Sequence, residues 1–382
     1  MKTKYYLFIG MIISFLFTAC SSKNTTQTGI THFAYQEVEN GKWGIMSTEG
    51  EVIVPPTFQG MPTPVTDEMF FVLREDGTYE LHNINEPEKI IDANYADVTN
   101  FSGGKSYVIR KGENISCIDK EGNVLYQLPE NIVQVKKGSL TSNTLAVMNE
   151  DNQWGCMNTR NEMILPMKYF YTTPFIYANN EYAMIMEING DTPNVYFISE
   201  NGDKTPNINA DNTNQTVLMI MGLTSPFDLD NNIMPYVSDG YIGLKDKKGD
   251  FIIPADGKYK MIMGTSCGCR IYRTERGAGV MDNSGKIIID DKYNFIRDAL
   301  LTNEKVFLAN LNNQWGFLSI GEKQISSFKF DNIFPIEQNC SNFIALKDNE
   351  SFLITKTGNI VSPKFYNFNI DCKLGINRTF YY

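Results

Sequence analysis

Seven cysteines, two histidines and 44 acidic side chains are what this 382-residue chain offers for chemistry. Cys267-Gly268-Cys269 sets two thiols one residue apart, close enough to take a soft metal, to cycle between dithiol and disulfide, or to bond separate partners. A zinc site needs further nitrogen or sulfur ligands, and the histidines, His32 and His82, lie far from that pair in sequence, so no metal is expected there. Cys340 and Cys372 complete a set of four candidate disulfide cysteines with Cys267 and Cys269. Asp228, Asp230 and Asn232 have the alternate spacing of the first half of a calcium loop. Ile233 stands where that loop needs glycine, and no glutamate follows at its far end, so a plain polar loop is expected. The sequence contains no nucleophile elbow and no phosphate-cradling glycine loop. No catalytic residue and no cofactor is therefore assigned. A carboxylate pair working on glycans stays open, but nothing in the sequence picks one out.

The first residues carry a different message. Lys2 and Lys4 precede an apolar stretch from Tyr5 to Phe17, and small residues then lead to Cys20, which is the pattern of a secretory signal. As a helix that stretch would be roughly 20 Å long, short of a hydrocarbon core of roughly 30 Å, so a permanent span is not expected. Phe17-Thr18-Ala19-Cys20 resembles the lipobox of bacterial lipoproteins, with Phe17 in place of the usual Leu. The resemblance implies removal of residues 1–19, lipid on Cys20, and a polar tether over residues 20–31. Ser21, with no aspartate beside the cysteine, leans toward the outer membrane by the same resemblance. The formal charge is −10 at pH 7, and losing Lys2 and Lys4 makes it more negative, so a nucleic-acid partner is not expected.

What must position any site is a repeat. Asn40-Gly41-Lys42-Trp43-Gly44, Asn152-Gln153-Trp154-Gly155 and Asn313-Gln314-Trp315-Gly316 are its clearest copies. With the tryptophan as anchor, nine units align at Trp43, Tyr79, Ile115, Trp154, Val195, Ile242, Ala278, Trp315 and Ser351. Two residues on, every copy is apolar, and Cys117 and Cys156 fill that place in two of them, which reads as core. Four residues on stands a short polar residue such as Ser47, Asp119 or Asp282, and three further usually glycine, as in Gly50, Gly122 and Gly285. Asn161 replaces it once, and Glu86 and Glu322 are exceptions. That spacing predicts a turn with positive φ and a bulge, followed by an apolar return strand that Pro55, Pro166, Pro254 or Pro363 then closes. The recurring tryptophans read as structural residues.

From Trp43 to Pro56 the Lys-Trp-Gly context, the polar-x-x-Gly turn and Val-Ile-x-Pro-Pro resemble the WG-repeat family of bacterial β-repeat proteins, and the resemblance runs over about residues 32–370. It implies architecture and interaction rather than a reaction. The expected fold is all-β, with about nine three- to four-stranded units in one domain over residues 32–382. A β-propeller-like arrangement is favoured because closure removes exposed strand edges, the alternative being an open β-hairpin superhelix. The wide step between Val195 and Ile242 hides an insertion around residues 203–235, the expected protruding loop and the surface expected to meet a partner.

These readings point to a non-enzymatic interaction or scaffold module, anchored by lipid in the bacterial cell envelope and meeting an unidentified envelope protein. The alternative is a glycan- or peptidoglycan-binding surface module. The sequence assigns no binding residue.

Overall fold

The computed structural model describes residues 29–140, 142–176, 181–189, 192–204, 233–246 and 248–378. Cys20, the signal segment, most of the tether and most of the 203–235 insertion, with Asp228, Asp230 and Asn232, lie outside the described residues. The protein is an all-β repeat protein with propeller-like antiparallel blades. The helical element among the described residues is one 3-10 turn, Ile320–Glu322. Two compact units divide the chain: a terminal unit with residues 29–174, 342–355 and 359–378, and a central unit with residues 175–341 and 356–358.

Each blade is a meander. In the central unit Met261–Gly264, Arg270–Arg273, Ala278–Met281 and Ile287–Tyr293 pair in chain order, and Phe295–Asp298, Val306–Leu311, Gln314–Ser319 and Lys323–Gln324 repeat the pattern. In the terminal unit Asp97–Val98, Ser106–Ile109, Ser116–Ile118 and Val124–Gln127 do the same.

The turn forms as its residue types require. Gly50 adopts φ +96, its amide donates to Ser47 O at 3.1 Å, and Ser47 N donates to Glu51 O at 2.8 Å. Asp282 adds side-chain bonds, its Oδ1 accepting from Ser284 N at 2.9 Å and Lys286 N at 3.0 Å. A residue without Cβ enters this left-handed region at no steric cost, and the strand register then slips, with Ile45 opposite Val54 but Met46 opposite Val52. Asn161 and the exceptional Glu322 take the same hand, at φ +69 and +60.

The prolines behave differently from expectation in two copies. Strands Val52–Phe58 and Met163–Tyr169 run on through Pro55 and Pro166 to the aromatic residue beyond, because each is the edge of its sheet and a second register shift absorbs the residues that cannot donate. The aromatic then lies opposite the anchor, as in Trp43 with Phe58, Trp154 with Tyr169 and Ala278 with Tyr293.

The core sits between the faces of successive sheets. Ile271, Val280 and Ile289 of one blade meet Ile296, Phe307 and Leu318 of the next. The position two residues after the anchor is buried in every copy, at most 3% exposed at Phe197 and 0% at Ile45, Leu81, Cys117, Cys156 and Phe317. Each such side chain contributes about 1.5–3 kcal/mol of burial when it is a full-sized apolar group. Trp154 and Trp315 are buried and Trp43 is half-buried.

Several consecutive repeats meet by one recurring contact, the turn of one resting on the return segment of the one before. Gly122 faces Asp92, Gly285 faces Ile253 and Gly358 faces Ser326, and Tyr126 Oη donates to Thr159 O at 3.0 Å. In the terminal unit Gly50 of the first repeat makes the same contact with Val361 of the last, and Asn342 Nδ2 donates to Thr48 O at 2.9 Å. First and last repeats are thus neighbours in space. Two short C-terminal strands complete this unit, Asn367–Asn369 pairing with Ile30–Gln36 and Gly375–Asn377 with Ile132–Lys137.

Candidate functional site

The hairpin joining Met261–Gly264 to Arg270–Arg273 carries the two closely spaced thiols. Thr265 and Cys269 close it backbone to backbone, Thr265 N donating to Cys269 O at 3.0 Å, and Gly268 N donates to Thr265 O at 3.1 Å. Gly268 turns at φ +74 with nothing near the place a Cβ would take, so the tip stands in open space. Thr265 Oγ1 accepts from Cys269 N at 3.1 Å and lies 3.2 Å from Cys267 Sγ. The next blade clamps the loop, since Asp298 accepts Ser266 N at 2.5 Å, Ser266 Oγ at 2.9 Å and Leu300 N at 2.9 Å.

The two sulfurs are unequal. Cys267 is half-buried and Cys269 is 1% exposed. A hydrogen bond from the Cys269 thiol, helped by Thr265 and opposed by burial and by Asp298, brings the Cys267 thiol down to about 7. Donating that bond, together with burial, pushes the Cys269 thiol far up.

The other cysteines of interest, Cys340 and Cys372, are half-buried, the first in the central and the second in the terminal unit. Cys117 and Cys156 lie in the core at the repeat position that sequence assigns them. His32 and His82 belong to the terminal unit, the thiol hairpin to the central one. Among the described residues no group of three or more histidine, cysteine and carboxylate side chains is placed to hold a metal ion, and no helix is long and apolar enough to cross a membrane.

A cleft of about 580 Å³ lies in the central unit, where the eighth repeat's return segment meets the turn of the ninth. Lys305, Lys323 and Lys356 line it with Glu304, and Lys356 pairs with that carboxylate.

A broader feature repeats along the chain. Four return strands that end their sheets each bury one apolar residue, Val54, Leu165, Ile253 or Ile289, while a preceding one faces outward. Val52 is 41% exposed, Val124 49%, Met163 44%, Phe251 65%, and Ile360 in the last copy 55%. The apolar run therefore serves two surfaces, one inside and one out. The sequence does not separate the outward half from the inward one, because every residue of runs such as Val52-Ile53-Val54 and Ile287-Ile288-Ile289 is apolar.

Two segments, residues 43–79 and 154–190, match the family model described as WG containing repeat, so the chain carries WG repeats at those places. Alanine–tRNA ligase, mitochondrial, of Saccharomyces cerevisiae is 31% identical over 135 residues, covering 34% of this chain. The match spans only 13% of that enzyme's length. Among solved structures, a eukaryotic initiation factor aligns over 93% of this chain and 99% of its own, at TM-score 0.47 and 13% identity. BamB from Moraxella catarrhalis aligns over 80% of this chain and 95% of its own, at TM-score 0.37 and 10% identity.

Proposed function

We propose that the protein is a non-enzymatic interaction or scaffold module of the bacterial cell envelope, held at the membrane by lipid on Cys20. The observation that carries the reading is the recurrence, within each compact unit, of edge strands with outward apolar side chains, Val52, Val124 and Met163 in the terminal unit and Phe251 and Ile287 in the central one. Monomeric proteins usually blunt such edges, and a repeated apolar edge marks a surface that another protein covers. Pro55 and Pro166 remove ladder donors from two of these edges, so the partner is gripped by side-chain contact rather than by an added strand. The acidic charge and the absence of a basic stripe in the sequence argue against nucleic acid.

The anchor rests on the lipobox-like Phe17-Thr18-Ala19-Cys20, and Ser21 favours the outer membrane. Crosslinking in intact cells, followed by purification and mass spectrometry, tests the module: a near-stoichiometric protein partner is expected. Sugar recovered without protein would replace this reading by a glycan- or peptidoglycan-binding one. Cys20→Ala is expected to release the protein from the membrane fraction, because a lipidated N-terminus is its only proposed hold. Retention of the variant in that fraction would remove the anchor from the account.

A further inference from the structure

We infer that Cys267 and Cys269 form a redox-active dithiol that exchanges with disulfides of other thiol compounds. The inference is independent of the interaction surface and concerns a separate part of the fold.

Three observations carry it. The thiols share a rigid hairpin loop, closed by the Thr265–Cys269 backbone bonds and pinned to the next blade through Ser266 and Asp298. Both side chains belong to one patch of the blade, Cys269 within the apolar cluster of Ile271, Val280 and Phe307 and Cys267 packed against it. Their exposure is divided as exchange requires: Cys267 sits half-exposed beside the open tip at Gly268, and Cys269 is buried behind it.

The chemistry balances within the pair and one disulfide. The Cys267 thiolate attacks one sulfur of an incoming disulfide, its S–S bond breaks, and the first leaving thiolate departs as a mixed disulfide forms on Cys267. Cys269 then gives its proton to solvent or to the departing thiolate and attacks Cys267 Sγ. The mixed disulfide breaks, the second thiolate leaves, and an internal Cys267–Cys269 disulfide remains. The incoming disulfide gains two electrons and the dithiol loses two. In reverse, the internal disulfide oxidises a partner dithiol. The low-lying Cys267 thiol supplies the attacking thiolate near neutral pH, and the buried Cys269 acts second.

The test is equilibration of the purified full chain in glutathione buffers of graded ratio, followed by acid quenching, alkylation and non-reducing peptide mapping. The expected result is a reversible two-electron transition between a doubly alkylated dithiol and an internal Cys267–Cys269 disulfide. Cys269→Ser is expected to accumulate glutathione on Cys267, and Cys267→Ser to leave Cys269 at least tenfold less modified. Circular dichroism identifies any variant that fails to fold, and the wild-type titration stands without the variants. Three results would overturn the inference: both thiols alkylated at every ratio, a disulfide that survives excess dithiothreitol in the folded protein, or stable glutathione on wild-type Cys267. The first two mark packing thiols and a structural disulfide.

Discussion

Gly155 shows what one residue does in this fold. A Cβ there would lie 2.6 Å from Leu165 O and 2.9 Å from Met167 N, inside the backbone of the return strand. At Gly44, Gly243 and Gly279 the hypothetical Cβ meets the return strand as well, and on the other side a tyrosine ring, Tyr35, Tyr236 or Tyr272, that lies across the glycine from the neighbouring strand. The WG dipeptide is thus a bulky anchor followed by a place where backbone and ring close in. Gly155→Ala is expected to lower unfolding stability by about 2 kcal/mol through overpacking, measured by urea denaturation followed on tryptophan fluorescence. The glycine was legible as a recurring letter, and its reason was not. Tyr236 and Tyr272 each precede their glycines by seven residues and Tyr35 by nine, but Val147 stands opposite Gly155 and Ala309 opposite Gly316, so no tyrosine recurs in every copy to betray the contact. The tryptophans and the apolar position after them were legible, since one-sided burial in a strand demands the same residue class in each copy.

At the scale of the element, the turn joins local conformation to packing between repeats. Glu322 occupies the glycine position with φ +60 and still makes the repeat-to-repeat contact, its Oε1 accepting Asp290 N at 3.0 Å and its other oxygen pairing with Lys292. Its carboxyl is held below the ordinary range by the Lys292 bond first, with the Asp290 amide adding to it. Backbone strain in the left-handed region offsets what these bonds contribute. Glu322→Gly should therefore be nearly neutral, losing the bonds and the strain together. Glu322→Ala should cost about 1 kcal/mol, since it keeps the strain and loses the bonds. Thermal unfolding of the two variants side by side measures the difference. Equal losses would show that strain plays no part. The turn and its bulge were legible from the polar-x-x-Gly spacing. The passage of the strand through Pro55 and Pro166 was not, because proline reads as a stop until the strand is known to be an edge.

On the scale of the whole molecule, nine anchors on a near-constant period made the all-β repeat readable. The division into two compact units was not, because the repeat continues across it without a linker. Nor were the C-terminal strands: Asn367–Asn369 and Gly375–Asn377 are too short to show alternation, and their partners lie hundreds of residues earlier. Ending the chain at Tyr366 removes both strands. Hydrogen exchange is expected to speed up in Ile30–Gln36 and Ile132–Lys137 while Arg270–Arg273 in the other unit is unchanged. Uniform acceleration would show that the two units unfold as one.

The proposed interaction surface is also a property of assembled repeats, since no single return strand offers more than a residue or two. A photoreactive amino acid placed at Phe251 on an edge strand, and in a second protein at Ser284 on a turn, puts the central claim to the test in intact cells. Crosslinking of one protein partner from position 251 but not from 284, lost when Ile287 on the next edge strand of the same unit is changed to asparagine, is the predicted result. Equal crosslinking from both positions, or capture that survives the Ile287 change in a folded protein, would contradict it.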